Sequence, residues 1–265
     1  MNIGLILSGG GIKGVAHIGA IKALEEYGIS PTHISGSSAG AVVGAFYAQG
    51  YQPEEILTFF KTTPLFNFSR YTYRKPGFID TDKFYEDFKK YFPKDSFEAL
   101  QKKLFVTTVN MLNGRIQVFE SGQLIKAFLA SAAFPGIFSP VTIYEGVYAD
   151  GGILDNFPIA PLKNICESLV GVYVSPLSMI KPERLRNSLS VLDRAIKINF
   201  TNGSLLKFPE CDFVIYPDTL NKFGLFDTKS IDKIYNIGYQ TTINKLEEIK
   251  GNTAMEFAID LNSTS

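Results

Sequence analysis

Gly36-Ser37-Ser38-Ala39-Gly40 is the stretch on which the reading of this chain turns. It has the form G-x-S-x-G, with Ser38 at its centre. Thr32 to Ser35, just before it, make a short strand. From Ser38 to Gln49 the residues are small and suit a helix, with Ala39, Ala41, Val42, Val43, Ala45 and Ala48. A serine hydroxyl reacts only when the backbone presents it sharply, and a tight strand-to-helix turn does that. Glycines on both sides let strand and helix approach without colliding Cβ atoms. A glycine-rich turn around an ordinary serine would be spelled the same way, so the neighbouring segments must decide.

Working outward, Ile3 to Leu7 is a short apolar strand and Ser8 to Lys13 a glycine-rich loop. Gly14 to Tyr27 has helical periodicity, with Val15, Ile18, Ile21 and Leu24 on one face and Lys22, Glu25 and Glu26 pointing out. Gly28 stops that helix. Strand, loop, helix, strand, turn, helix is the opening of a parallel sheet covered by helices. The expected class is α/β, a three-layer α/β/α arrangement with a largely parallel central sheet.

Further on, Pro53 to Lys61 reads as a helix with proline and acids in its first turn. Thr62 to Ile79 has no clear period. Tyr85, Phe88 and Phe92 give a helical face within Thr81 to Phe92. Leu104 to Val109 is a strand, and Asn113-Gly114 a hairpin turn leading into Arg115 to Phe119. Gly122 to Ser131 is helical, and Val147 to Ala149 ends a strand at Asp150-Gly151-Gly152. Leu169 to Val174 and Phe213 to Tyr216 are further strands. Glu183 to Phe200 and Lys229 to Ile249 are helical. Residues 1–250 are expected to form one domain, with 59–79 a candidate cap or lid and 251–265 a polar C-terminal tail.

The chain has 265 residues, 45% of them hydrophobic, which suits one sizeable core. Lysine plus arginine, 26, equals aspartate plus glutamate, 26, so no global charge argues for nucleic acid. Cys166 and Cys211 form no C-x-x-C and read as lone thiols of a reducing compartment. Met1 to Ser8 lacks a basic start and a cleavage site, and no apolar run reaches the roughly 18 residues of a membrane span. The expected location is cytoplasmic, with any membrane contact peripheral. No metal and no cofactor are expected.

Gly9-Gly10-Gly11-Ile12-Lys13-Gly14 contains G-x-G-x-x-G between a strand and a helix, the dinucleotide-binding form. That form wants an acid at the end of the second strand, where this chain has Gly36-Ser37-Ser38. A Walker A loop fails because Lys13 precedes Gly14 and no Lys-Ser or Lys-Thr pair follows. The other use of such a loop is electrostatic: its N–H groups, at a helix N-terminus, can hold the oxyanion of an acyl intermediate. Parallel neighbouring strands would set it beside Ser38.

A serine triad needs a histidine. The only two, His17 and His33, both precede Ser38, so the order Ser, Asp, His is ruled out. Both read as structural residues. Asp150, at a strand end and followed by two glycines, is the candidate carboxylate base, with a plain Asp-Gly turn as the competing reading. An aspartate with an ordinary pKa of about 3.9 serves as a base only in direct, partly dry contact with the hydroxyl.

Three motifs in this order resemble the patatin-like phospholipase family: the loop Gly9 to Gly14, the elbow Gly36 to Gly40, and the box Asp150-Gly151-Gly152. Ser131-Ala132-Ala133-Phe134-Pro135-Gly136 resembles the family's segment ahead of the aspartate. The resemblance spans Ile3 to Pro158. It implies a Ser–Asp dyad without histidine, with Ser38 as nucleophile and Asp150 as base. It places the oxyanion hole in the backbone of Gly9, Gly10, Gly11, Ile12 and Lys13, chiefly near Gly10 and Gly11. The implied reaction is hydrolysis of fatty-acyl esters, as by a phospholipase A or lysophospholipase, through an acyl-enzyme and without metal.

Phe59 to Phe78 carries Phe59, Phe60, Phe66, Phe68, Tyr71, Tyr73 and Phe78 with Lys61, Arg70, Arg74 and Lys75. Aromatics among basic residues suit an anionic lipid surface, and a cap packed on the domain is the alternative. Lys222-Phe223-Gly224-Leu225-Phe226 reads as core. Two further classes stay open: a catalytically silent interaction module of the same fold, and a nucleotide-binding protein using the Gly9 to Gly14 loop.

Overall fold

Residues 1–63 and 84–263 are described by a computed structural model. Their elements, in chain order, are β1 (Ile3–Leu7), α1 (Val15–Glu26), β2 (His33–Ser37), α2 (Ala39–Gln49), α3 (Pro53–Thr62), α4 (Tyr85–Lys89), β3 (Lys103–Asn110), β4 (Arg115–Phe119), α5 (Leu124–Ser131), β5 (Val141–Ile143), β6 (Gly146–Asp150), β7 (Ser168–Val172), α6 (Ser188–Leu205), β8 (Phe213–Ile215) and α7 (Ile231–Ser263).

The sheet is mixed. β3, β2, β1, β7 and β8 pair in parallel, as the opening order of elements predicts. β4, β5 and β6 add antiparallel pairs beyond β3. One detail positions the site. Ser37 pairs with Thr107 and Asp150 with Thr108, while β4 holds the other edge of β3 from Val106 to Asn110. β6 therefore takes over the edge of β3 where β2 leaves it, and the two strands end facing each other.

Strand side chains alternate between two cores, as the pleat requires. Leu5, Leu7, Ile34, Leu104, Val106, Val170 and Val172 face the larger cluster, under α1, α2, α3, α5 and α7. Ile6, Phe105 and Leu169 face the other way, against Phe157, Ile159, Leu162 and Tyr173. α6 closes this second side, where Tyr173 donates to Thr201 Oγ1 at 3.3 Å. The three layers expected from the sequence are present.

Several expectations shift. α1 is buried well beyond one face, with Ala16, Gly19, Ala20 and Ala23 also inside, because α7 lies along its back. A Cβ on Gly19 would sit 2.2 Å from the Tyr235 carbonyl oxygen, and one on Gly238 2.0 Å from that of Ala16, so glycines permit this close crossing. α6 starts at Ser188, five residues after the expected Glu183. Asn187 caps it: its side chain accepts from Ser190 N at 2.9 Å, and Asn187 N donates to Ser190 Oγ at 3.1 Å. α7 runs to Ser263, through most of the stretch expected as a tail. Residues 251–263 contain no proline and hold Ala254, Met255, Glu256, Ala258 and Leu261, all adequate helix formers.

Phe59 and Phe60 belong to the core and not to a surface. Phe59 is packed on Phe46 and Phe88 at ring separations of 4.5 and 5.2 Å. The remainder of the 59–79 cap expectation, from residue 64 on, lies outside the described residues.

Candidate active site

Ser38 sits between β2 and α2 as the residue before the first helical turn, with φ 52° and ψ −125°. A non-glycine residue seldom adopts this backbone, which stores of order 1–3 kcal/mol of strain. The flanking glycines explain how the turn closes. A Cβ on Gly40 would lie 2.2 Å from the Leu7 carbonyl oxygen, and one on Gly36 would lie 2.7 Å from Gly40 and Ala41 backbone atoms. Only hydrogen fits at either position.

Ser38 Oγ donates to Asp150 Oδ2 at 2.7 Å. The second carboxylate oxygen, Oδ1, accepts from Gly152 N at 2.8 Å. Asp150 is buried, and burial raises its pKa from 3.8 to about 7, against the opposing pull of the Ser38 and Gly152 hydrogen bonds. Gly151 must be glycine because a Cβ would lie 2.2 Å from the Thr107 carbonyl oxygen. Asp155, further along, is no second base: its Oδ1 binds Lys207 Nζ at 2.6 Å and Phe157 N at 3.1 Å.

β1 lies beside β2, so the Gly9 to Gly14 loop reaches the elbow. A Cβ on Gly9 would be 3.0 Å from Ser38 Cβ. Three N–H groups of the loop are engaged within the protein. Gly9 N donates to Asn156 O at 3.3 Å, Ile12 N to Leu225 O at 2.9 Å and Lys13 N to Gly10 O at 3.3 Å. Among the described residues, the N–H groups of Gly10 and Gly11 meet no backbone or side-chain acceptor. Gly11 has φ +59°, in the left-handed region that glycine favours.

Neither histidine touches the serine or the aspartate. His17 is buried, its Nε2 donates to the Ser8 carbonyl at 2.8 Å, and burial lowers its pKa to about 4. It holds the start of the glycine loop. His33 begins β2, at the end remote from Ser38, where its Nδ1 meets Thr32 Oγ1 at 2.9 Å.

One contributor was not singled out in the sequence. Ser131, buried at the end of α5, accepts from Ser38 N at 2.9 Å and donates to the Thr107 carbonyl at 2.6 Å. It ties the elbow to the β3 rung beside Asp150. Its sequence signal was only its place at the head of Ser131 to Gly136.

Two cavities meet at Ser38. A cleft of about 370 Å³ includes Gly9, Gly10, Gly11, Ser38 and Asp150 in its walls, within the usual range of ligand sites. A smaller pocket of about 80 Å³ also touches Gly11 and Ser38, and its other described walls are apolar, including Val42, Phe60, Phe88 and Phe138. Phe223 packs against the larger core cluster as expected, and with Leu225 it also lines the larger cleft.

The family model for patatin-like phospholipases matches residues 5–163. The chain belongs to the patatin-like phospholipase family. The matched stretch holds the glycine loop, the elbow and the Asp150 box. Among curated relatives of this patatin-like chain, a lysophospholipase nte1 of Neurospora crassa is 25% identical, over 93% of this chain and 18% of its own length. A lysophospholipase NTE1 of Scheffersomyces stipitis is 32% identical, over 89% of this chain and 17% of that protein. The chain thus spans less than a fifth of these relatives. The crystal structure of VipD from Legionella pneumophila superposes with a TM-score of 0.57 at 17% identity, covering 93% of this chain and 67% of that one, a likeness of fold.

Proposed function

We propose that this patatin-like chain is a serine lipid acyl hydrolase of the phospholipase A or lysophospholipase type, with Ser38 as nucleophile and Asp150 as its base. The observation that carries the reading is the 2.7 Å hydrogen bond from Ser38 Oγ to a buried Asp150 beside two unengaged N–H groups. The names of the fungal relatives agree with it.

In this reading an ester carbonyl enters above Ser38, with its acyl chain directed into the apolar pocket. Ser38 Oγ attacks the carbonyl carbon while its proton passes to Asp150 Oδ2. The carbonyl oxygen becomes an oxyanion and accepts from Gly10 and Gly11 N–H. Each donor of this kind is worth about 2.7–4 kcal/mol of barrier. The tetrahedral intermediate collapses, the alcohol leaves with the proton from Asp150, and the acyl group stays on Ser38. Water then gives a proton to Asp150 and attacks the acyl-enzyme, and the fatty acid departs as Ser38 recovers its proton. A pKa near 7 suits this alternation, because the group can accept and return a proton near neutral pH.

Fatty-acid release from mixed phospholipid vesicles, with Ser38→Ala as the blank, tests the proposal. Release by the wild type alone supports it. Release confined to soluble short-chain esters keeps the esterase and moves the substrate away from bilayers. Inactivity on both contradicts it.

A further inference from the structure

The two cavities at Ser38 differ in charge. None of the described residues that line the apolar pocket carries a charged side chain. The larger cleft is lined by Lys13, Arg184, Arg194, Lys197 and Lys222, and among its described lining residues Asp150 is the only acid. The chain as a whole carries equal numbers of basic and acidic residues, 26 of each, so this concentration is local.

The cations come from separate segments. Arg184 lies in the turn before α6, Arg194 within α6, and Lys222 at the end of the short helical turn Asp218–Lys222. Arg194 is half-buried, and its Nη2 donates to the Ser178 carbonyl at 2.7 Å, which fixes the guanidinium in the cleft wall. A guanidinium has five N–H donors in a planar fork, a shape matched to phosphate oxygens. Arg184 and Lys222 are exposed at the rim, where they can close on an anion as it enters. Positive charge gathered in a cleft with low-dielectric walls concentrates the field toward an incoming anion. Ser38 marks the boundary between this cationic chamber and the apolar one, as an ester joining a phosphate-bearing alcohol to a fatty acid would require.

We propose that the larger cleft is a subsite for the phosphate of an acyl lipid, held by Arg184, Arg194 and Lys222, and that it selects anionic phosphate-bearing lipids over neutral acyl esters. The proposal rests on the assignment of Ser38 as the nucleophile, and deepens it by naming what leaves.

The test uses the full chain carrying Ser38→Ala, so that binding is read without turnover. Calorimetric titrations compare a short-chain lysophosphatidate with the monoacylglycerol of the same acyl chain, each below its critical micelle concentration. The lysophosphatidate should bind at least about tenfold more tightly, and the advantage should shrink as salt rises from low to high concentration. Adding Arg184→Gln with Lys222→Gln, or Arg194→Gln alone, should remove most of that advantage, and Arg194→Lys should restore part of it. Equal affinity for the two lipids, or an advantage that survives both sets of variants, overturns the proposal. Inorganic phosphate alone should bind at least about tenfold more weakly than the lysophosphatidate; binding as tight as the lipid's would assign the cleft to free phosphate and overturn the lipid assignment. Because binding is measured without Ser38, an inactive wild type would sink the hydrolase reading while this measurement still decided the subsite.

Discussion

Ser37 and Asp150 occupy neighbouring rungs on the same edge of β3, opposite Thr107 and Thr108. β2 arrives there running parallel to β3 and β6 arrives antiparallel, so the two strands meet end to end. The turn after Ser37 puts the Ser38 hydroxyl 2.7 Å from the Asp150 carboxylate. The contact is thus set by sheet hydrogen bonds, with no flexible loop between the strand ends and the two groups.

Replacing Asp150 with asparagine should separate activity from stability. Ester hydrolysis should fall about 10²–10⁴-fold, the usual worth of a positioned general base. Burial raises the folded-state pKa of Asp150 to about 7, above the ordinary 3.8. Folding therefore favours its protonated form, a contribution present in full below about pH 4 and lost as pH rises through 7. At pH 8 the variant should melt at a higher temperature than the wild type, and at pH 4 the difference should be much smaller. Thermal unfolding at both pH values checks this, and a lower Tm for the variant at pH 8 would count against it.

The same ionisation should govern the rate. Asp150 accepts a proton only as the carboxylate, so kcat/KM for a soluble neutral ester should rise with pH through an apparent pKa near 7. A profile that is flat from pH 5 to 9 would mean that a different group takes the Ser38 proton.

Ser131→Ala should lower kcat by roughly 10–100-fold with KM little changed. The substitution removes the acceptor of Ser38 N–H and the donor to the Thr107 carbonyl, so the elbow loses its tie to β3. Threonine at the same position keeps a hydroxyl and should recover part of the rate. A KM effect without a kcat effect would place Ser131 outside the positioning of Ser38.

His17→Ala leaves the buried Ser8 carbonyl without its donor and should destabilise the protein by about 1–3 kcal/mol. His17→Gln keeps a donor and allows a test by pH. Burial lowers the pKa of His17 from 6.5 to about 4. Its neutral form therefore contributes stability that is present above pH 6.5 and is lost as pH falls toward 4. The wild type's advantage in Tm over His17→Gln should shrink across that window. An advantage that grows on acidification would contradict a neutral buried His17.

Local chemistry made much of this legible in the sequence. Gly36 and Gly40 announce the elbow because each is needed within a few residues of Ser38, and the order β1, loop, α1, β2 already implies parallel neighbours. That the loop's N–H groups can hold an oxyanion could be read from its glycines, and the emphasis on Gly10 and Gly11 came with the family resemblance. The engagement of Gly9, Ile12 and Lys13 N–H could not be read there, since their acceptors are Asn156, Leu225 and Gly10 in the folded loop. Asp150 was visible as a strand end before two glycines. Its meeting with Ser38 depends on a non-local strand pairing that no window of sequence carries. Ser131 acts through partners 93 and 24 residues away, and a lone serine at a helix end has no distinguishing pattern. Phe59 and Phe60 read equally as interface or as packed cap because composition cannot tell a wet aromatic from a packed one; Phe46 and Phe88 around Phe59, and Phe59 against Phe60, settle them as core.

The most direct measurement is covalent labelling with a fluorophosphonate, read by intact-protein and peptide mass spectrometry. The wild type should gain a single adduct on the peptide bearing Ser38, Asp150→Asn should label far more slowly, and Ser38→Ala should not label. A wild type that hydrolyses esters yet stays unlabelled, or that carries its adduct on another residue, would contradict the Ser38–Asp150 account.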